Sequence, residues 1–183
     1  LGDVYKRQNI VKANDLGICG AATTYAVPTA TDNCGIASVT LLSGLASGSV
    51  FPVGTTTNVW RAIDVNMNSS TCAFTVTVND TEKPTINCPS DIAKGTDFGD
   101  CSANLGLNLG AVSVSDNCVG VTTTNNSPGI FQLGTTTVTW VAKDGSNNTI
   151  SCVQNITIVD NEAPIVACPA NINVKTDEGD CVA

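Results

Sequence analysis

The chain has 183 residues, a formal net charge of −8, only 8 Lys and Arg, nine cysteines and no histidine. So few scattered cations exclude a phosphate-binding surface for nucleic acid, and the missing imidazole excludes His-based nucleophile triads and the commonest zinc patterns. Charged residues at 13% against 42% hydrophobic exclude a structureless polyanion, and no apolar run reaches the roughly 18 residues that read as a membrane span.

Residues 1–8, LGDVYKRQ, match nothing that follows and read as a non-native leader. From Asn9 the chain repeats itself. The segment NIVKANDLGICGA at Asn9 recurs as DIAKGTDFGDCSA at Asp91 and NINVKTDEGDCVA at Asn171, each a short strand candidate running through an Asp-x-Gly turn into a cysteine. An Asp-Asn-Cys loop follows at Asp32 and again at Asp116. Residues 36–50 and 119–130 come next, rich in Ser, Gly and Thr and different in the two copies.

The longest match starts at Phe51, FPVGTTTNVWRAIDVNMNSSTCAFTVTV, and returns at Phe131 as FQLGTTTVTWVAKDGSNNTISCVQNITI. Phe51 and Phe131, Trp60 and Trp140, Cys72 and Cys152, Cys88 and Cys168, and Cys101 and Cys181 all stand 80 residues apart. A unit of that length is a small domain rather than a solenoid turn. The spacing predicts a first unit over 9–81, incomplete at its start, a complete second unit over 82–161, and the beginning of a third over 162–183.

Within the unit the periodicity is two. Val138, Trp140 and Ala142 share one face of a strand, with Thr137, Thr139 and Val141 on the other. Asp64 to Asn68 and Asp144 to Asn148 predict hairpin turns. In the strand beyond, Cys72, Phe74, Val76 and Val78 face one way, with Cys152, Gln154, Ile156 and Ile158 in the matching places; Gln154 is expected to weaken its position. No stretch has helical periodicity. The pattern predicts an all-β chain of tandem immunoglobulin-like antiparallel β-sandwiches joined end to end.

The cysteines contain no C-x-x-C pair and read as disulfide partners in an oxidising compartment. Cys34 with Cys72, and Cys118 with Cys152, are expected to bridge within each unit. Cys88 with Cys101 and Cys168 with Cys181 are expected to close locally, leaving Cys19 unpaired. The other reading links units, Cys19 to Cys88 and Cys101 to Cys168. Asp80, Glu82, Asp160 and Glu162 fall at the unit boundaries; they read as solvated turn acids with no cofactor, and calcium is the alternative if the fold brings Asp32, Asp64, Asp116 or Asp144 beside them.

The Asp-Asn-Cys loop, FPVGTTT, the Trp strand TVTWVAKD and the segment TEKPTINCPSDI, in that order and twice over, resemble the hyalin repeat or HYR domain, an immunoglobulin-like module. The resemblance covers residues 9–183. It implies an extracellular, multi-domain protein with a role in adhesion or surface structure, and it implies no catalytic residues. The expected function is a rigid, non-catalytic spacer or stalk within a larger secreted or surface-anchored protein, with its own neighbouring domains as partners. One alternative is a module binding glycan or protein through the stretches Leu41 to Val50 and Val121 to Phe131. Another is a strand-exchanging filament subunit using residues 165–183.

Overall fold

The structure is a computed structural model that describes residues 8–174, 178 and 179. The first unit contains β1 (Ile10–Ala13), β2 (Gly20–Ala22), β3 (Ile36–Ser43), β4 (Val50–Pro52), β5 (Gly54–Asp64) and β6 (Ser69–Asn79). The second contains β7 (Thr85–Asn87), β8 (Ile92–Gly95), β9 (Ser102–Asn104), β10 (Ser113–Ser115), β11 (Thr122–Asn125), β12 (Ile130–Gln132), β13 (Gly134–Lys143) and β14 (Thr149–Val159). No helix occurs among the described residues, so none is long and apolar enough to cross a membrane.

Each unit is built on a four-stranded sheet, ordered β1-β6-β5-β3 in the first and β8-β14-β13-β11 in the second. Short pairs form the opposing layer: β2 with β4, and β9 with β12 and β7 with β10. Pairing is antiparallel except where β1 meets β6 and β8 meets β14, which run parallel. The expected antiparallel sandwiches thus carry one parallel strand pair at an edge of each large sheet. After β1 the chain crosses to the opposite layer as β2 before it returns, so the first strand lies beside the last in the same direction.

The long hairpins follow the predicted alternation. Val138, Trp140 and Ala142 are buried along β13, and Phe74, Val76 and Val78 along β6. Phe51 and Phe131, both fully buried, enter the core from β4 and β12 opposite Ala21 and Ala103. The two cores are separate, one gathered around Phe51 and Trp60, the other around Phe131 and Trp140. Each unit thus buries its own apolar face and does not depend on its neighbour for a core.

One cross-strand pair distinguishes the cores. Asn58 stands opposite Phe74 in the first unit, and Val138 stands opposite Gln154 in the second. Asn58 is fully buried, its Oδ1 accepting from Leu45 N and its Nδ2 donating to Leu45 O, both at 3.0 Å. Gly44 permits that contact: at φ +98°, a Cβ there would lie 2.0 Å from Asn58 Oδ1. Phe74 packs edge to face on Tyr25, with ring centroids 5.0 Å apart.

Gln154 does not weaken its site as its polarity suggested. Its Oε1 accepts from Trp140 Nε1 at 3.1 Å, and its Nε2 donates to Ser90 O at 2.7 Å and Leu109 O at 2.8 Å. A buried amide with its donors and acceptor occupied ties two strands and two loops together.

Both predicted hairpin turns form around an aspartate. Asp64 Oδ1 accepts from Asn66 N and Asn68 N at 2.8 Å, while Oδ2 accepts from Asn68 Nδ2 at 2.8 Å; Asp144 repeats the set with Ser146 and Asn148. These donors, the Asn68 side chain foremost, hold the Asp64 carboxyl below its ordinary value.

Candidate functional site: the junction between the units

The boundary between the units gathers most of the residues that remain after the cores are accounted for. On the first unit, the Asp-x-Gly turn after β1 is braced from two sides. Lys12 Nζ donates to Asp15 Oδ1 at 3.0 Å, and Ala22 N donates to Asp15 Oδ2 at 2.7 Å. The Ala22 amide and then Lys12 pull the Asp15 carboxyl below its ordinary range. The Glu82 carboxylate closes the turn from the linker side, accepting from Gly17 N at 2.9 Å and from Asn14 Nδ2 at 3.0 Å. Asn14 Oδ1 in turn accepts from Thr81 N at 3.0 Å. The turn, β1 and the linker are therefore one hydrogen-bonded platform.

The second unit meets this platform through its Asp-Asn-Cys loop. Asp116 Oδ2 accepts from Cys118 N at 2.9 Å, an Asx turn that fixes the loop. Asn117 Nδ2 donates to Ile18 O at 3.0 Å, and Cys118 is joined to Cys19 by a disulfide with Cα atoms 4.9 Å apart. The hairpin turn of the second unit adds a further contact, Asn148 Nδ2 to Asp80 O at 3.2 Å. Asp80 and Pro84 are buried here, whereas their repeats Asp160 and Pro164 are exposed.

The disulfides differ from the expected set. Two occur among the described residues, Cys19 with Cys118 between units and Cys88 with Cys152 within the second. Cys152 is not at the start of its strand. It sits inside β14, opposite Trp140, and packs against the core with Cys88, which the segment between β7 and β8 carries alongside. Cys118 lies at the outer end of the unit and faces the neighbour, so Cys118 with Cys152 is corrected to two separate bonds. Cys88 with Cys101 fails for the same reason, because Cys101 is exposed on the Asp-x-Gly turn. Cys19, expected to be unpaired, is bonded, and the alternative Cys19 to Cys88 link had the right kind of connection with the wrong partner.

Cys34 and Cys72 are both free thiols rather than a pair, Cys34 exposed on its loop and Cys72 partly buried against the first core. Burial pushes the Cys72 thiol above its ordinary value, which disfavours the reactive thiolate. In the register of Cys88-Pro89 the first unit has Lys6-Arg7, so Cys72 has no cysteine counterpart to its repeat's Cys88. Cys101 and Cys168 are likewise free and exposed. Cys181 lies outside the described residues, and with it the expected Cys168 to Cys181 bond.

Of the boundary acids, Glu82 and Glu162 are spent on backbone amides, Glu162 accepting from Gly99 N at 3.0 and 3.1 Å. Asp80 and Asp160 each accept from the amide two residues on, at 3.1 and 3.0 Å. Asp80 has an acidic neighbour from another element: a carboxylate oxygen of Asp80, one of Asp116 and the Cys118 sulfur lie within 4.8 Å of one another. Buried and without partners at this place are Asp80 Oδ2, Asp116 Oδ1 and Asn117 Oδ1.

The stretches expected to vary as loops are partly strand. Residues 36–43 form β3 and residues 122–125 form the shorter, wholly exposed β11. Beside β11 the second unit has a cleft of about 250 Å³ lined by Leu107, Leu109, Asn125, Pro128 and the edge of Trp140. From Asp160 to Val174 no strand forms and the residues are exposed.

The HYR domain family matches residues 4–78 and 79–158. The chain is 36% identical over 171 residues to hyalin of Strongylocentrotus purpuratus, covering 90% of this chain and 14% of that protein. Against hyalin of Lytechinus variegatus it is 29% identical over 168 residues, covering 89% of this chain and 32% of the relative. The chain thus spans less than a third of either hyalin. Among solved structures, human mucin-like protocadherin EC1-2 aligns with 86% of this chain and 98% of its own at 12% identity and a TM-score of 0.44. Drosophila N-cadherin EC1-4 aligns with 85% of this chain and 48% of its own at 11% identity and a TM-score of 0.39.

Proposed function

The chain belongs to the HYR domain family, as two tandem copies, and on that premise we propose that it is a non-catalytic structural segment of a larger extracellular protein, a spacer whose units are locked in one relative orientation. The observation that carries this reading is the Cys19–Cys118 bond, which joins the far end of one unit to the near end of the next. A linker alone would leave relative motion as the default between small domains. Here the linker is hydrogen-bonded through Asn14 and Glu82, and the disulfide supplies a second point of attachment. Two attachments remove the hinge that one would leave.

Small-angle scattering tests this directly. The oxidised chain gives a single sharp maximum dimension, and Cys19→Ser with Cys118→Ser broadens it while both units stay folded. A broad distribution in the oxidised chain would overturn the reading. The similarity to hyalin and the oxidised cysteines support an extracellular setting, secreted or held at the cell surface.

A binding role is the second reading, supported by the cleft beside Trp140 with Leu107 98% exposed at its rim. Glycan-array or cell-surface binding by the chain, lost in Leu107→Asp, would favour it. No binding in either assay would remove it.

A further inference from the structure

The surface that receives the second unit exists twice. On the first unit it is made of Gly17, Ile18, Cys19, Asp80 and Glu82, and the Asp116-Asn117-Cys118 loop covers it. Its repeats on the second unit are Gly99, Asp100, Cys101, Asp160 and Glu162, and these line an open cleft of about 320 Å³. The bracing is the same. Glu162 holds Gly99 N as Glu82 holds Gly17 N, and Lys94 with Asn104 N fixes Asp97 as Lys12 with Ala22 N fixes Asp15. The inserting loop also exists twice, because Asp32 Oδ1 accepts from Cys34 N at 2.8 Å in the turn that Asp116 makes with Cys118. Cys34 and Cys101 are both exposed free thiols.

We propose that Cys101 and Cys34 are the open halves of the same inter-unit cystine: Cys101 bonds the Asp-Asn-Cys cysteine of a unit that follows, and Cys34 the Asp-x-Gly cysteine of a unit that precedes. The proposal rests on the spacer reading and extends it into a rule for an array. Each unit makes one internal bond, Cys88 to Cys152 in the second, and contributes one cysteine to each junction. Forming the junction bond removes two protons and two electrons from two thiols. A small-molecule disulfide such as oxidised glutathione accepts them and leaves as two thiols. The unit that docks brings its own Asx turn, so Asn33 would take the place of Asn117 and Asp100 that of Ile18.

A polypeptide in which residues 9–170 run directly into a second copy of residues 9–183 tests the rule, because Asn9 then follows Ala170 where Asn171 stands in the chain. It offers Cys34 of the second copy to Cys101 of the first, and Cys168 of the first copy to Cys72 of the second. Peptide mapping without reduction, after refolding in glutathione buffer, is expected to recover both of those links beside Cys19–Cys118 and Cys88–Cys152. Recovery of the first copy's Cys101 as an alkylated thiol, or joined to Cys88 or Cys168, overturns the proposal. Should the fusion not fold, the 183-residue chain decides on its own. Head-to-tail oligomers containing a Cys34–Cys101 peptide support the rule, and symmetric Cys34–Cys34 or Cys101–Cys101 dimers alone oppose it. Scattering separates the two readings: a Cys101–Cys34 bond with broad dimensions would sink the spacer and leave the cystine rule standing.

Discussion

The first and second units place their polar core residue on opposite strands of one cross-strand pair. The first puts Asn58 on β5 against Phe74 on β6; the second puts Val138 on β13 against Gln154 on β14. Each arrangement is closed by what surrounds it, Leu45 and Tyr25 in one, Trp140, Ser90 and Leu109 in the other. The first leaves Trp60 Nε1 without a partner where the second gives Trp140 one. The second also has the internal Cys88–Cys152 bond, for which the first has only the unpaired Cys72. One backbone frame thus accepts two core solutions, the second answering the indole N–H that the first leaves unpaired.

The contrast is broken most severely at the cystine. Cys88→Ser with Cys152→Ser removes a closed loop of 64 residues and should cost the second unit about 4 kcal/mol. Calorimetry should show its transition falling while that of the first unit holds. Gln154→Leu comes next. It strands Trp140 Nε1, Ser90 O and Leu109 O and should cost about 3 kcal/mol. Gln154→Phe should also destabilise, and adding Val138→Asn should recover part of the loss if the pair is the unit of compensation. A double variant worse than the sum of the singles would show that the surrounding loops, not the pair, decide.

Smaller effects sharpen the comparison at the hairpin turns. Met67 and Asn147 occupy the same left-handed position, at φ 70° and 74°. Asparagine adopts that region at lower cost than methionine, so Met67→Asn should stabilise the first unit by about 1 kcal/mol. Denaturant melts should show no comparable gain for Asn147→Gly. The smallest effect is on acid tolerance. Asp15, Asp64 and Asp97 are held below their ordinary value near 3.8, Asp15 and Asp97 by the amides of Ala22 and Asn104 and then by Lys12 and Lys94. A depressed carboxyl stabilises above its unfolded pKa, and that contribution is lost as pH falls through the folded value. Stability should therefore decline below about pH 4, and Asp15→Asn with Asp97→Asn should flatten the decline.

The strands, their facing and the hairpin turns were legible because they follow local rules: alternation in Val138, Trp140 and Ala142, and Asx chemistry at Asp64 and Asp144. The cystines were not. Alternation puts Cys72 and Cys152 on the face of Phe74 and Gln154 but names no partner for either. Cys152 stands opposite Trp140 on that core face, and only the path of β7 into β8 brings Cys88 there. Gln154 was misread because its partners, Ser90 O and Leu109 O, come from loops that no periodicity locates. The boundary acids were found by position, but the burial that separates Asp80 from Asp160 depends on the neighbouring unit. The repeat shows which residues are equivalent; it does not show which are covered.

The spacer account stands or falls on whether the junction fixes the two units relative to each other. Backbone residual dipolar couplings, fitted separately for β1–β6 and β7–β14 in one aligned sample, measure this most directly. The account predicts one alignment tensor for both units in the oxidised chain, with two unequal tensors in Cys19→Ser with Cys118→Ser. Unequal tensors while Cys19–Cys118 is intact would contradict it.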